Sequence, residues 1–314
     1  MVLNLEAKRR SAAPTLPKGG PLIGDAKLKQ LYAAMVRCRI LDQHLRRLHR
    51  RSKPGYLSSV GHEAAIVGTA IDLRRRDWLI PSRKDYLADY LKGVPLGTIL
   101  SQLDAVTSKP SHESAAPADH DRNAHSLVPP PASVAAQLDI AIGLALAVKA
   151  KKQGGVVVAL CGSSQASTAR LRQSVQLAAL GRLPLIFLIE SRALKSRPAT
   201  MKDHAAALAA LAEASGIPVI PVDRTDVVAL YRVTFESIQR ARRDGGPTVI
   251  EPAIWCWPGK PRAHEAGLAD DPIDKMENYL TGKGLFSARW KQSVITRFKS
   301  KVEAAESASL GQRL

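Results

Sequence analysis

Two short polar segments, each following an apolar run, could take part in chemistry. The first is "CGSSQA" at 161–166, after "GVVVAL", and the second is "ESRAL" at 190–194, after "PLIFLI". An apolar run, a turn of small residues and a second apolar run form the outline of a cofactor-binding unit. A divalent cation prefers carboxylate ligands, and the Gly162-Ser163-Ser164 turn has none. The two segments therefore leave three possibilities open: a working active site, a different active site, or the remnant of one.

The first segment also has features of a nucleophile elbow, the strand-to-helix turn that presents the serine of many hydrolases. Ser164 would be the nucleophile, although alanine replaces the last glycine of that motif. Asp223, after a later apolar run, and His264 further on complete the chain order of a hydrolase triad. Small residues also follow buried strands merely because they let the turn close, so a serine hydrolase is a remote alternative.

A cluster of histidines and acids lies in the polar, proline-rich stretch 104–131. His112, His120 and His125 occur there with Asp119 and Asp121. Their spacing matches no common ligand pattern, so we assign no metal to them. The stretch has no periodicity and is expected to be a long loop or a disordered lid.

Apolar runs alternate with helical patterns from residue 133 onward, and these elements must position the polar segments. Strands are predicted at 155–161, 184–190, 217–223 and 247–255, with helices at 133–148, 168–181, 203–215 and 226–243. This order indicates an α/β fold with a mainly parallel sheet covered by helices on both faces. Ligands of such sheets bind beyond the carboxyl ends of the strands, so Gly162–Ser164 and Ser191–Leu194 should lie at adjacent positions on the rim.

The amino-terminal half carries its own helical patterns. Predicted elements are a helix at 26–50, a helix of small residues at 61–73, a strand at 77–81 and a helix near 85–92. On the first helix, His44, His49 and the arginines between them fall opposite the apolar side and should form a solvated face. The helix at 133–148 is rich in small apolar residues, which suits either a buried core helix or close packing of subunits.

Three regions are expected along the chain. Residues 1–25 are basic and rich in Ala, Pro and Gly, which suits a mobile arm; residues 26–270 form the main domain, including the 104–131 loop; residues 271–314 form a helical extension.

The chain is strongly basic, with 46 Lys and Arg against 28 Asp and Glu and a net charge of +18. Such a field favours acidic or phosphorylated partners. The basic residues are scattered and no nucleic-acid motif appears, so no specific nucleic-acid partner is expected. The 3 cysteines are far apart, which suits a reducing cytoplasm. No membrane span or signal peptide is expected.

Several consecutive blocks of the sequence carry a family resemblance. They include "LYAAMVRCRILDQHLRRL", "GHEAAIVGTAIDL", "LAALGRLPLIFLIES", "AEASGIPVIPVDRTDVVALYRV" and "DPIDKMENYLTGKGLFSARW", in that order. From about 28 to 305 the chain resembles the alpha subunit of the thiamine-diphosphate-dependent dehydrogenase component of 2-oxo acid dehydrogenase complexes, of the pyruvate, branched-chain and acetoin types. The resemblance implies a thiamine-diphosphate-binding fold and, as the family activity, oxidative decarboxylation of a 2-oxo acid.

The resemblance also implies where the cofactor would bind. In the family, a Gly-Asp-Gly turn and an Asn-Asn pair hold the magnesium that binds the cofactor's pyrophosphate. Here Gly162 begins the turn, Ser163 stands in place of the Asp, Arg192 stands in place of an Asn, and Leu194 would offer a backbone carbonyl. Arg83 is what remains of a Tyr-Arg-x-His motif. Arginine repels a dication at contact distance, so magnesium is not expected.

Other family positions differ as well. Gln173 replaces a Glu, Lys260 replaces the His of a flexible Gly-His-Ser loop, and Ala135 and Asp139 replace a Gly and a Pro. No catalytic residue is therefore assigned.

Four hypotheses of function follow. The first is a catalytically degenerate relative, a pseudoenzyme that acts as a subunit or scaffold. The second is an active subunit in which Arg83 and Arg192 bind pyrophosphate without a metal. A serine hydrolase and a basic interaction protein are the third and fourth. By resemblance, the expected partners are a beta-type subunit, in a heterotetramer or another oligomer, and a lipoyl-bearing acyltransferase core.

Overall fold

A computed structural model describes residues 23–52, 58–81, 86–105, 123–128, 134–162, 169–190, 210–211, 213–253 and 271–311. The helices within these ranges are α1 (Asp25–Ser52), α2 (Glu63–Ala70), α3 (Tyr86–Leu91), α4 (Leu96–Ala105), α5 (Val134–Lys151), α6 (Ala169–Leu180), α7 (Val227–Arg242), α8 (Pro272–Gly282) and α9 (Ala288–Gly311). The strands are β1 (Trp78–Ile80), β2 (Val157–Gly162), β3 (Leu185–Glu190), β4 (Val219–Asp223) and β5 (Thr248–Ala253).

The five strands form one parallel sheet in the order β1-β2-β3-β5-β4. Near-continuous apolar runs such as "VVVALC" suit strands that are buried on both faces. The fold is α/β, as the alternation of elements predicts. The predicted strands and the helices at 168–181 and 226–243 are confirmed, with every boundary within two residues. Of the helix predicted at 203–215, only 210–211 and 213–215 lie within the described residues, and these are helical.

Successive side chains of β2 point into two separate core layers, because side chains alternate along a strand. Val158 and Leu160 face the layer built by α1, α2, α7, α8 and α9. Val157, Ala159 and Cys161 face the layer built by α5 and α6. The sheet therefore lies between a thick helical layer and a thin one.

The amino-terminal helix α1 is central to the thick layer. Tyr32 is fully buried, and its hydroxyl donates a 2.7 Å hydrogen bond to Glu277 of α8. Its ring also contacts Phe286 and Trp290, at centroid distances of 5.8 and 5.2 Å. These contacts join α1 to the two carboxyl-terminal helices.

The prediction of a solvated face on α1 is wrong at His44. The side chain of His44 is buried, with the residue 7% exposed, and its Nε2 lies 3.1 Å from Glu306 of α9. Burial lowers the pKa of His44, while the charge of Glu306 opposes this shift. The α9 helix covers this side of α1, and a pattern within α1 alone does not reveal that cover.

The sequence prediction for 104–131 needs correction in its last part. Residues 123–128 run alongside β1, where Leu79 donates to the carbonyl of Ser126 and accepts from Val128, both at 3.0 Å. Leu127 is fully buried. This segment covers the outer edge of the sheet, which would otherwise expose unpaired backbone groups. His112 and His120 lie outside the described residues.

Within the described ranges, no helix is long and apolar enough to cross a membrane. Residues 1–22 of the predicted amino-terminal arm (1–25) lie outside these ranges, and its last predicted residue, Asp25, is the first residue of α1.

Candidate functional site

The carboxyl edge of the sheet is the candidate site, and β2 and β3 reach it side by side. Gly162, the last residue of β2, pairs in register with Glu190, the last residue of β3. The two strands that lead into the polar segments therefore end side by side. The adjacency expected of Gly162–Ser164 and Ser191–Leu194 stays a prediction, because all of these residues except Gly162 lie outside the described ranges.

The other candidate binding residues lie outside the described residues. These are Arg83, Ser163, Arg192 and Leu194. Lys260 and the proposed triad members Ser164 and His264 also lie outside. Gly162 alone among the cofactor-binding candidates is described.

A buried amide fixes the helix that faces this edge. Gln137 of α5 is almost fully buried, and its Nε2 donates a 2.6 Å hydrogen bond to the carbonyl of Leu160 and a longer one, 3.4 Å, to that of Ile80. The side chain thus anchors the first turns of α5 to the carboxyl halves of β1 and β2. Sequence reasoning missed this residue, although a single glutamine within an apolar helix was a visible signal.

An ion pair joins the amino-terminal halves of α5 and α6. Arg170 Nη2 lies 2.6 and 2.5 Å from the two carboxylate oxygens of Asp139. Both side chains are about half exposed. Asp139 therefore contributes a contact between α5 and α6.

The carboxylate of Asp223, at the end of β4, is already engaged by its neighbours. One oxygen accepts hydrogen bonds from the amide and hydroxyl of Thr225, at 2.8 and 2.7 Å, and the other lies 2.6 Å from Lys275 Nζ. Burial raises the pKa of Asp223, but these hydrogen bonds outweigh it and the net pKa is lowered. The arrangement favours the charged form of a carboxylate that links β4 to α8, which does not favour its use to orient a histidine.

A second polar centre lies where α1, α2 and α8 meet. Arg39 donates through Nε to Glu63, which is fully buried, and through Nη1 and Nη2 to the two oxygens of Asp271, at 2.8 and 3.1 Å. The backbone amide of Gly61 donates a further 2.8 Å bond to Glu63. Asp271 also caps α8 by accepting from the amide of Ile273 at 2.8 Å. Sequence reasoning missed this cluster because its members are far apart in the chain.

Comparison with known proteins places this geometry in a family. The family model of the dehydrogenase E1 component matches residues 32–257, which is more than half of the chain. The chain belongs to the dehydrogenase E1 component family. Its thiamine-diphosphate-binding fold agrees with the parallel five-stranded sheet.

Curated E1 proteins of staphylococci are similar over most of their length. The chain is 28% identical over 299 residues to the pyruvate dehydrogenase E1 component subunit alpha of Staphylococcus epidermidis strain RP62A. It is 29% identical over 299 residues to the protein of the same name from Staphylococcus aureus strain Mu50. Both alignments cover 91% of this chain and 78% of the relative. The similarity to the alpha subunit of this E1 component therefore extends over nearly the whole chain.

The carboxyl edge of this E1 chain has no metal cluster among the side chains that the structure describes. No group of three or more His, Cys, Asp or Glu residues within those ranges could hold a metal ion. By the resemblance described above, Ser163 and Arg192 are the residues expected at the magnesium positions, and both lie outside the described residues. A guanidinium has five N–H donors and no acceptor, so it can bind a phosphate but not a cation.

The outer side of α5 and α6 exposes several large apolar side chains among polar ones such as Arg172 and Gln173, so the prediction of a buried 133–148 helix holds for one side only. Four of the seven large apolar side chains that are exposed in the described part of this E1 chain lie on these two helices: Ile140, Leu146, Leu177 and Leu180. Leu177 is 53% exposed and Leu180 is 86% exposed. Concentrated apolar exposure of this kind marks an interaction surface.

Proposed function

We propose that this chain is an alpha-type E1 subunit that retains the fold and a subunit-binding surface but has lost the magnesium clamp of its cofactor site. The observation that carries the proposal is the pair of replacements at the ligand positions, Ser163 for an Asp and Arg192 for an Asn. Preorganised charge supplies much of the rate enhancement of an enzyme, so loss of the clamp would remove the family activity.

The second element of the proposal is association with a beta-type subunit through the outer side of α5 and α6. Helix α5 is held against the sheet by Gln137 and against α6 by the pair of Asp139 with Arg170. These contacts make the two helices a rigid base for the exposed Ile140, Leu146, Leu177 and Leu180. The exposure of these side chains supports a role as a subunit or scaffold, because a beta-type subunit with an apolar face would bury them. Such a subunit would act together with a lipoyl-bearing acyltransferase core.

Calorimetric titration with thiamine diphosphate tests the first element. The protein is titrated alone and with its candidate beta-type partner, with and without magnesium. We expect no magnesium-dependent binding and no decarboxylation of 2-oxo acids. Decarboxylation that depends on thiamine diphosphate and magnesium would overturn the proposal.

An active subunit with an arginine clamp is the second candidate function. Arg192 and Arg83 would each be able to bind pyrophosphate oxygens through paired N–H donors. The same titration separates this candidate from the first, because it requires cofactor binding without magnesium that is lost in Arg192→Ala. Arg289→Ala, which changes an exposed arginine of α9, is the matched control.

A further inference from the structure

A cavity of about 150 Å³ lies between α2 and α7, away from the candidate cofactor site. Arg242, which lines it, pairs with Asp77 at 2.5 Å, and Asp77 also accepts a 3.2 Å hydrogen bond from the amide of Val156, just ahead of β2. The cavity therefore extends toward the amino edge of the sheet. A six-residue strand such as β2 is about 20 Å long, which separates this edge from Gly162 at the other end.

The two helices pack tightly beside this cavity, so the cavity is not a sign of loose packing. A Cβ atom added at Gly68 of α2 would lie 2.8 Å from the Cβ of Leu230 and 3.0 Å from the backbone nitrogen of Tyr231. Such distances require glycine. Gly68 and the next residue of α2, Thr69, both line the cavity.

Three buried polar atoms lie on residues that line the cavity and have no hydrogen-bond partner among the described residues. They are the hydroxyls of Thr69 and Thr234 and the Nε of Arg242. Thr69 is 2% exposed and Thr234 is 1% exposed. A buried polar group without a partner costs roughly 1–3 kcal/mol, so this arrangement calls for a polar occupant.

The acids near the cavity are already engaged. Asp72 lies 2.8 Å from Lys27 Nζ and accepts a 2.7 Å hydrogen bond from the hydroxyl of Tyr231. Asp77 accepts from Arg242 and from the amides of Arg74 and Val156. The carboxylate acceptors beside the cavity are thus used, while the N–H of Arg242 Nε remains unmatched.

The charge around the cavity is positive. Burial lowers the pKa of the Arg242 guanidinium; Asp77 opposes this shift, and the nearby charges of Arg74 and Arg76 add to it. Arg74 itself lines the cavity. Excess positive charge with unmatched donors favours an oxyanion over neutral water, because charge-assisted hydrogen bonds are about twice as strong as neutral ones.

We propose that this cavity is a binding site for a compact oxyanion of the size of inorganic phosphate, held by the hydroxyls of Thr69 and Thr234 and by the guanidinium groups of Arg242 and Arg74. The hydroxyls donate from the helix interface and the arginines neutralise the charge. A cavity of this size holds several water molecules or one such anion. The bound anion bridges α2 and α7 and stabilises the sheet edge opposite to the cofactor site.

The test is calorimetric titration and thermal unfolding of the full chain with inorganic phosphate at constant ionic strength. Wild type should bind phosphate and unfold at a higher temperature than in chloride. Thr234→Val has nearly the same shape and lacks the hydroxyl, so it should weaken binding roughly tenfold or more. Without phosphate the same variant should be at least as stable as wild type, because it removes an unpaired buried hydroxyl.

Two controls make the result specific. Thr296→Val changes an exposed threonine of α9 and should bind phosphate as wild type does. Arg192→Ala should also retain binding, which distinguishes this site from a pyrophosphate clamp at the other edge. Titration with acetate determines whether the ligand is better represented by a carboxylate. Equal behaviour in phosphate, acetate and chloride, or wild-type affinity in Thr234→Val, would overturn the proposal and leave a cavity filled by water.

Discussion

The guanidinium of Arg39 donates to both carboxylate oxygens of Asp271, at 2.8 and 3.1 Å, while its Nε donates to the fully buried Glu63. One side chain of α1 thereby fixes the start of α2 and the amino-terminal cap of α8. Arg39 thus supplies positive charge to both carboxylates. Burial raises the pKa of Asp271, but hydrogen bonds from Arg39 outweigh this effect, and the net pKa is lowered.

Removal of the Arg39 guanidinium should be strongly destabilising. Arg39→Met leaves Glu63 buried as an uncompensated charge, and we expect a loss of about 3–5 kcal/mol in the free energy of unfolding. The double variant Arg39→Met/Glu63→Gln should recover part of that loss, because the buried charge is gone. Urea denaturation of the three proteins provides the measurement. A loss below about 1 kcal/mol in the single variant, as is typical of an exposed ion pair, would contradict the expected cost of leaving Glu63 buried without Arg39.

The sheet could be predicted from the sequence because its determinants are local. Apolar runs such as that of β2 carry their own strand pattern, and each alternates with a helical pattern. Arg39 with Asp271, and His44 with Glu306, were not predictable in this way, because each pair joins helices from the two ends of the chain. The burial of the unpaired hydroxyls of Thr69 and Thr234 was not predictable either, because the sequence of one helix does not reveal which residues of another helix pack against it.

The apolar side of α5 and α6 should be required for association with a beta-type subunit. Leu177→Asp places a charge on the proposed interface and should reduce complex formation at least tenfold, with little effect on folding because the side chain is 53% exposed. Co-purification and sedimentation velocity with the candidate partner measure this. Tyr279→Asp, at an exposed aromatic residue of α8, is the control and should assemble normally. Equal assembly of both variants would place the interface elsewhere.

Restoring the ligands should restore metal-dependent cofactor binding. The double variant Ser163→Asp/Arg192→Asn returns a carboxylate and an amide oxygen to the two positions, which is the donor set that a hard cation prefers. We expect thiamine diphosphate to bind this variant in the presence of magnesium and more weakly in its absence, by calorimetry. Ser163→Asp alone should bind poorly, since the positive charge of Arg192 stays beside the cation. If the double variant gains no magnesium-dependent binding, losses beyond the clamp have closed the site.

A buried lysine should give the protein a distinctive dependence on alkaline pH. Lys92 is 9% exposed, and its Nζ donates to the carbonyls of Arg74 and Asp77, at 2.9 and 2.7 Å. Burial lowers the pKa of Lys92 from 10.5 to about 8, and the charge of Asp77 opposes this shift.

The sign of the effect follows from proton binding in the two states. Below about pH 8 Lys92 is charged in both the native and the unfolded chain. From about pH 8 to 10.5 the unfolded chain binds more protons, so stability rises with pH through this window. The gain of wild type relative to Lys92→Met should reach at most about 3 kcal/mol, from 1.36 kcal/mol per pKa unit. Urea denaturation across this pH range measures the difference, with Lys291→Met as a control at a lysine of α9. Parallel stability curves for wild type and Lys92→Met would contradict the lowered pKa, because the native and unfolded chains would then release this proton together.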